Sequence, residues 1–297
     1  MNIVIILIIL LGGAIFTYFC GNRFASKAAI LFSVAAAVFS VALYLKYGEI
    51  GAIDFSTGWI SNPNITFSLK ADGLAIAMVL LTTILLPVII LASHNREFKN
   101  EKLLYALVMF MAFAMTGAFL SSDALLYYVF WEMSLIPIYF IIVLWGNGEM
   151  AKRRKAAMTF FLFTFVGSLF MMGAIIYMYT KVGSFLLEDF YNANLNFTEQ
   201  ICIFLAFFLA YAIKIPIFPF HTWQANVYQK APAVGTMLLA GLMSKMGAYS
   251  VMRWQIPTAP DAAYELRTVI LILCIIGVVY GAIMALRQDD LKRFMAY

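Results

Sequence analysis

Charge is scarce in this chain. Only 12% of its 297 residues are Asp, Glu, Lys or Arg, and 64% are hydrophobic. An average soluble domain has about 25% charged residues. So few charges cannot cover a water-facing surface of ordinary polarity, which excludes a soluble globular domain, and the high hydrophobicity excludes a disordered chain. The remaining class is an all-α polytopic membrane protein.

Cysteine and histidine are scarce as well. The three cysteines lie far apart in apolar segments, which excludes a disulfide framework and a thiolate metal site. Two histidines are too few for a histidine-rich metal or haem site. No glycine-rich phosphate loop follows a predicted strand. The chain is therefore expected to hold no metal or cofactor of its own, and no nucleic-acid partner is indicated.

Long apolar runs are abundant. A helix needs about 20 residues to cross the hydrocarbon core of a bilayer, and nine runs approach or exceed this length. The seventh contains prolines and is predicted to be interrupted. The runs are 2–20, 28–46, 74–92, 103–121, 123–145, 157–180, 201–230, 233–253 and 267–286.

Basic residues indicate the orientation. With the N-terminus outside, 13 of the 20 Lys and Arg residues fall on inside segments and 5 on outside segments. Cytoplasmic loops are enriched in Lys and Arg, so this orientation is favoured, with the basic run 152–155 as its strongest anchor. Arg23 and Lys27 follow the first run instead of preceding it, which is the opposite of a secretory signal.

The loop at 47–73 is the one long polar segment near the N-terminus. Its glycines, Pro63 and asparagines predict turns and a short hairpin. Asp72 and Asp123 directly precede apolar runs, where an aspartate caps a helix. Asp123 also begins the run that contains Glu132, so a part in proton transfer is a second interpretation.

Glu132 lies near the middle of the run 123–145. A charged side chain at that depth costs about 2.5–3.5 kcal/mol, so its presence indicates a functional or structural role. The functional interpretation is a carboxyl group that binds and releases a proton, and the alternative is a structural hydrogen bond. Pro137 deprives the Met133 carbonyl of its helical partner. That carbonyl could hold water, or the proline could simply kink the helix.

Lys214 lies beside two prolines. Pro216 and Pro219 release the carbonyls of Ala212 and Ile215, so the helix must break here. Broken spans are tolerated where protein or a wet cavity satisfies the released groups, and transporters build ion sites at such breaks. Lys214 is thus a candidate for the ion path, with a lysine that extends to the membrane surface as the alternative.

His221 follows the break, and Lys245 lies near the centre of the run 233–253. His221 is either a proton relay or an interfacial histidine beside Trp223. Lys245 has Gly241 and Gly247 nearby, which allow close approach of helices or water. One acid and two lysines in separate spans predict proton movement, because approach of an opposite charge favours the charged form. These charges argue against a purely structural spacer.

Several motifs together resemble the antiporter-like subunits of respiratory complex I. The resemblance covers most of residues 70–297 and is closest to the M-type branch, the counterpart of mitochondrial subunit 4. The segments around Glu132 and at 146–180 favour that branch over the L and N types. The motifs are Phe130-Trp131-Glu132-Met133-Ser134-Leu135-Ile136-Pro137, Leu144-Trp145-Gly146, Lys214-Ile215-Pro216, Phe220-His221-Thr222-Trp223, Ala231-Pro232, 239–247 and Gln288-Asp289-Asp290-Leu291-Lys292-Arg293.

The resemblance implies a mechanism. Glu132 would pair with Lys214, and Lys245 would be the next group on a hydrated axis across the membrane centre. NADH, FMN, iron–sulfur clusters and quinone would be bound by other subunits of a proton-pumping NADH:quinone oxidoreductase. L-type and N-type antiporter-like subunits would be neighbours, and the bacterial inner membrane would be the location.

The resemblance also implies a domain organisation. Residues 1–102 would form three N-terminal spans, 103–253 one five-helix repeat with a broken helix, and 254–297 the start of a second, inverted repeat. The family has about fourteen spans, so a C-terminally truncated chain is expected, with a helix beginning at Asp290. The alternative function is a subunit of a multisubunit Na⁺(cation)/H⁺ antiporter, which shares the core charges.

Overall fold

The computed structural model describes residues 2–61, 63–94 and 98–297. The chain divides into two compact units, Met1–Ile141 and Ile142–Tyr297, with the boundary inside the helix Leu135–Trp145. The N-terminal unit contains α1 (Val4–Phe19), α2 (Asn22–Ile50), β1 (Ile53–Ile60), β2 (Ile65–Ala71), α3 (Gly73–Ser93), α4 (Glu101–Leu120), α5 (Ala124–Met133) and the start of α6 (Leu135–Trp145).

The C-terminal unit is helical throughout its described elements. It contains two π-helical turns, here π1 and π2, within one helical run. In chain order its elements are α7 (Met150–Val182), α8 (Leu187–Tyr191), α9 (Phe197–Lys214), α10 (Thr222–Lys230), α11 (Ala233–Leu238), π1 (Leu239–Met243), α12 (Ser244–Ser250), π2 (Val251–Gln255), α13 (Ile256–Thr258), α14 (Pro260–Ala285) and α15 (Leu291–Ala296).

Membrane-spanning helices dominate the fold. Within the described ranges, seven helical segments are long and apolar enough to cross a bilayer, with α5 and α6 forming one of them. The first predicted run is α1, which has 16 residues, and the eighth is the helical run 233–258 divided by π1 and π2. The predicted all-α polytopic membrane fold is confirmed.

Helix α4, in the N-terminal unit, is more deeply buried within the protein than any other of the seven spans. Glycines allow this packing. A Cβ atom on Gly13 of α1 would lie 2.7 Å from Cβ of Phe32 and 2.8 Å from Cε of Met109. One on Gly117 of α4 would lie 2.4 Å from the ring of Phe130. Larger side chains at these positions would force the helices apart.

The predicted hairpin in loop 47–73 is confirmed. Strands β1 and β2 pair antiparallel, with Ile53 opposite Ala71 and a register shift between Gly58 and Ile60. The hairpin is the one departure from helix among the described elements. Ser122 donates its backbone N–H to the Ser68 carbonyl at 3.0 Å, which fixes the hairpin to the start of α5.

Helix α7 begins earlier than predicted. It has 33 residues and includes the whole basic run Lys152, Arg153, Arg154 and Lys155, which the sequence assigned to a loop. At 1.5 Å per residue this helix is about 50 Å long, whereas the hydrocarbon core is about 30 Å thick. The apolar run 157–180 lies inside this helix, which projects beyond it because hydropathy detects the apolar segment and not the helix limits.

Helix α9 is held in place through residues of its N-terminal half. A capping box at its N-terminus joins the Asn196 side chain to the Glu199 backbone and the Glu199 side chain to the Asn196 backbone. Farther along, the Gln200 side chain donates to the Asp261 carboxylate at 2.9 Å and accepts from the Asp261 backbone N–H at 3.0 Å. The start of α14 is thereby held against α9. Phe204, Ala259 and Ala262 form a buried cluster at the same place.

Candidate functional site

The break predicted after Lys214 is present. Helix α9 ends at Lys214, and helical structure resumes at Thr222 in α10. Pro216 and Pro219 both lie in the non-helical connection. Their missing N–H groups prevent continuation of the helix, so the local sequence causes the break.

Two carbonyls at this break have protein partners. The Ala212 carbonyl, predicted to be open, accepts a hydrogen bond from the Ile217 N–H at 2.8 Å. The Ile213 carbonyl accepts from Trp223 Nε1 at 3.0 Å. Trp223 thus ties the start of α10 to the end of α9, and this indole partner could not be read from the proline spacing.

Lys214 is buried, with 2% of its surface exposed. Its side chain lines a narrow gap within the C-terminal unit. The rings of Phe160 and Trp223 on this gap have centroids 4.8 Å apart. The other lining residues are Tyr228, Leu239, Met243 and Ser244. A lysine that extends to the membrane surface would be exposed at its ammonium end, so the burial favours the functional interpretation.

Lys245 lies in the helical run 233–258, one residue after Ser244. Its ammonium group donates to the Ala240 carbonyl in π1. The Ser244 hydroxyl donates to the same carbonyl at 3.0 Å, while the Ser244 backbone N–H bonds to Leu239. The π turn therefore presents the Ala240 carbonyl to side chains, and π turns within α-helices are frequent at functional sites. The side chain of Lys245 is exposed on the surface of this unit.

Gly247 explains how α12 reaches the break in α9. A Cβ atom there would lie 2.6 Å from Cγ1 of Ile215 and 3.3 Å from the Tyr211 carbonyl oxygen. The sequence predicted that small residues beside Lys245 permit close approach, and the structure confirms it. Lys214 and the helix that carries Lys245 thus meet at one place in the C-terminal unit.

Glu132 belongs to the N-terminal unit. It is the penultimate residue of α5 and is partly buried. The helix is interrupted at Ser134, where the Ser134 hydroxyl donates to the Trp131 carbonyl at 2.7 Å. Because Pro137 has no N–H for the Met133 carbonyl, α5 ends at Met133 and α6 begins two residues later. The predicted interruption is confirmed, and it follows the acid directly.

Asp123 caps α5, as predicted. One carboxylate oxygen accepts from the backbone N–H groups of Leu125 and Leu126 at 3.0 and 3.1 Å. The other accepts from the N–H and the hydroxyl of Thr66, both at 3.1 Å. Asp123 therefore joins the hairpin to the helix that carries Glu132. Thr66 was missed by the sequence because its partner is 57 residues away.

His221 is half-buried beside the break. Its ring stacks on Phe218, with 5.5 Å between centroids, and meets Tyr280 of α14 edge-on at 5.0 Å. The three residues line a cavity of about 340 Å³ in the C-terminal unit. His221 Nδ1 is buried and has no hydrogen-bond partner within the part of the chain that the structure describes. Tyr280 lies in a uniformly apolar run, so no sequence signal singled it out.

Gly146 connects α6 to α7 in a motif that the resemblance included. The Asn147 backbone N–H donates to the Lys230 carbonyl at 2.7 Å, and its side chain donates to the Ala231 carbonyl at 2.9 Å. A Cβ atom on Gly146 would lie 2.3 Å from the Ile142 carbonyl oxygen and 2.6 Å from that of Lys230. The turn thus fixes the end of α10, and only glycine fits.

We expect Gly146→Ala to destabilise the protein. Both obstructing atoms are backbone oxygens, so the turn must move, and overpacking of this kind costs about 1–3 kcal/mol. The thermal unfolding midpoint of the purified protein should fall. Gly173→Ala is the matched control, because a Cβ atom there has nothing within 4 Å. An unchanged midpoint for Gly146→Ala would contradict the close approach.

The predicted helix at Asp290 is confirmed as α15. The Asp290 carboxylate accepts from the Arg293 backbone N–H at 3.0 Å and from the Gln229 side chain at 3.1 Å. These two bonds, the backbone one first, hold the pKa of Asp290 below its ordinary value. Lys292 donates to the Ala231 carbonyl at 2.8 Å. The basic motif after α14 is thereby attached to the end of α10.

The fold and the site together define a class of membrane subunits. Its members are bundles of membrane-spanning helices in which one span is broken beside a buried lysine. Residues 121–297 match the family described as NADH:quinone oxidoreductase/Mrp antiporter, transmembrane. That match covers more than half of the chain, so the chain belongs to this family. The resemblance stated from the sequence motifs is confirmed.

Individual relatives are similar over most of this chain. Chain 4 of the NADH-ubiquinone oxidoreductase of Arabidopsis thaliana is 36% identical over 265 residues, which are 88% of this chain and 53% of the plant protein. Subunit M of the NADH-quinone oxidoreductase of Escherichia coli K12 is 35% identical over 252 residues, 82% of this chain and 50% of that protein. The chain thus spans about half the length of the curated relatives it matches.

A solved structure supports the same grouping. A chain of respiratory complex I from Thermus thermophilus with bound NADH matches with a TM-score of 0.90 and 27% identity. The match covers 100% of this chain and 62% of that one. The fold described above is therefore that of a membrane subunit of this family.

Proposed function

We propose that this chain is part of an M-type, proton-translocating membrane subunit of an NADH:quinone oxidoreductase. The observation that carries the proposal is Lys214, a lysine with 2% exposure at the end of a discontinuous membrane helix. An ionisable residue within a membrane span marks an ion pathway or proton relay by default. The similarity to subunits named M and chain 4 selects the oxidoreductase within the family.

In the proposed mechanism, Glu132 and Lys214 act as a pair. A nearby carboxylate stabilises the lysine ammonium, whereas a buried lysine without it favours the neutral form. Movement of the acid away from Lys214 would therefore release a proton, and its return would favour uptake. Interruptions beside both residues, at Ser134 and after Lys214, give the backbone freedom to permit such movement.

Lys245 is proposed as the next group on the path. Ser244 connects the surroundings of the two lysines, since it lines the same gap as Lys214 and its hydroxyl shares the Ala240 carbonyl with Lys245. His221 and Asp123 are proposed as supporting groups, and Pro137, Pro216 and Pro219 as the residues that maintain the helix breaks. Protons are the proposed substrate of this path.

The assembly is proposed from the same similarity. L-type and N-type antiporter-like subunits would adjoin this one in a bacterial inner membrane, with the N-terminus outside. NADH, FMN, iron–sulfur clusters and quinone would be bound by other subunits, whose redox work would drive the Glu132–Lys214 cycle. Residues 103–253 are proposed as one five-helix repeat, preceded by three spans and followed by the beginning of an inverted second repeat.

A subunit of a multisubunit Na⁺(cation)/H⁺ antiporter is the second candidate, because the matched family includes Mrp antiporters. Affinity purification from its native membrane distinguishes the two. We expect the protein to be recovered with NADH dehydrogenase activity. Recovery only with other antiporter chains, together with Na⁺-driven proton movement in vesicles, would instead establish the second candidate.

A further inference from the structure

A groove runs between α7 and α9 of the C-terminal unit. Its volume is about 620 Å³, within the range of roughly 300–1,000 Å³ that small-molecule sites occupy. Its walls are apolar except at one end. The walls include Val166, Phe170, Gly173, Tyr177, Glu199 and Cys202.

Two glycines of α7 explain the shape of the groove. At Gly167 the helices touch, since a Cβ atom there would lie 2.8 Å from Cδ1 of Ile213 and 3.2 Å from Cα of Ala210. At Gly173 a Cβ atom would have nothing within 4 Å. The helices therefore meet near Gly167, whereas the position of Gly173 in the groove wall is open. The wall from Val166 to Tyr177 is about 16 Å long at 1.5 Å per residue.

The end of the groove at Tyr177 and Glu199 is polar. Lys181 and Glu199 form an ion pair with 2.5 Å between Nζ and Oε1, and the Lys181 side chain is 41% exposed. The Tyr177 hydroxyl donates to the same carboxylate oxygen at 2.7 Å. Glu199 is also held by the Asn196 backbone N–H at 2.9 Å. A lysine ammonium has three donors, so Lys181 keeps donor capacity directed away from Glu199.

We propose that this groove binds one phospholipid of the bilayer, with an acyl chain between α7 and α9 and its phosphate on Lys181. Both helices are long and apolar enough to span the membrane, so the groove opens toward hydrocarbon. Lys181 lies in the last turn of α7, beside the Glu199 carboxylate that lines the groove, and such helix ends adjoin the phosphates of a bilayer. Apolar walls and a cation at the interface are together complementary to a phospholipid.

A transmembrane helix of a neighbouring subunit is a less suitable occupant. A helix packed along the groove would cover the Lys181–Glu199 pair, and removal of two charges from water is unfavourable. A phospholipid leaves the pair in the wet headgroup layer and adds a phosphate to the lysine. The partly exposed ion pair therefore favours the lipid.

Photocrosslinking tests the proposal. The complete complex is reconstituted with phosphatidylglycerol that carries a diazirine in one acyl chain, illuminated, and its crosslinked peptides are mapped by mass spectrometry. We expect crosslinks concentrated on α7 and α9 around Phe170 and Cys202. Gly173→Leu should cause a severalfold loss by filling the groove. The matched control Gly12→Leu, also an open glycine in an apolar helix, should retain them.

A second variant tests the headgroup contact without altering the groove. Lys181→Gln should lower the yield of the phosphatidylglycerol crosslink about fivefold, the effect of one lysine at an anionic surface. Crosslinks spread evenly over all lipid-facing helices, or unaffected by both variants, would overturn the proposal. So would crosslinks that join the groove to a neighbouring polypeptide in place of lipid.

Discussion

Replacement of Lys214 by methionine in the complete complex is expected to abolish proton transfer through this subunit. Methionine has a similar length and suits a buried site, so the fold should persist. The loss of a positioned proton donor and acceptor lowers a rate by roughly 10²–10⁴-fold. Proton uptake by inverted vesicles, measured together with NADH oxidation, should show this loss. Because Lys214 is buried, bulk water cannot replace it as the proton donor and acceptor.

The matched control for this variant is Lys155→Met, which removes the same charge from an exposed position on α7. It should leave proton uptake unchanged. Assembly is checked by recovery of the intact complex, so that loss of pumping is separated from loss of the protein. A Lys214→Met complex that assembles and pumps at the normal rate and stoichiometry would remove Lys214 from the proposed path.

Replacement of Glu132 by glutamine should have the second largest effect. Glutamine keeps the size and hydrogen-bonding capacity of the side chain but has no proton to exchange and no negative charge. Proton pumping coupled to NADH oxidation should therefore decrease strongly. A purely structural hydrogen bond would survive this substitution, so the variant separates the two interpretations of Glu132 left open by the sequence.

Glu149→Gln provides the control for Glu132. Glu149 precedes α7, its side chain is 71% exposed, and it pairs with Lys152 at 3.4 Å. Exposed pairs contribute about 0–1 kcal/mol, so this variant should pump normally. If both glutamine variants behave like the unmodified complex, the Glu132–Lys214 pair is not the proton-transfer element.

Many features of the fold follow from local sequence. Prolines 216 and 219 remove the N–H groups on which a helix depends, so the break after Lys214 was predictable from spacing alone. Asp123 could be predicted as a cap because a carboxylate before an apolar run satisfies free backbone N–H groups. The hairpin in loop 47–73 followed from its turn residues. Each of these effects acts within a few residues.

Other features depend on residues far apart in the chain. The sequence placed Lys245 deep in its span. Its exposure on the surface of the C-terminal unit depends on how α12 packs against α9, with Gly247 at the contact. Thr66 on Asp123 and Tyr280 on His221 are long-range contacts without a sequence motif. Helix α7 extends beyond its apolar run 157–180, because hydropathy reports the apolar segment and not the helix limits.

The sequence by itself determined the membrane class and the broken helix and singled out Glu132, Lys214 and Lys245, because the costs of burying charge and of losing backbone hydrogen bonds are local. Only the tertiary structure decided that aromatic residues line the gap at Lys214, that π1 presents a carbonyl to Lys245, and that a groove lies between α7 and α9. Those properties arise from which helix faces meet. Where two helix faces meet is set by glycines and side-chain volumes on separate helices. The linear sequence does not show which of these residues come together.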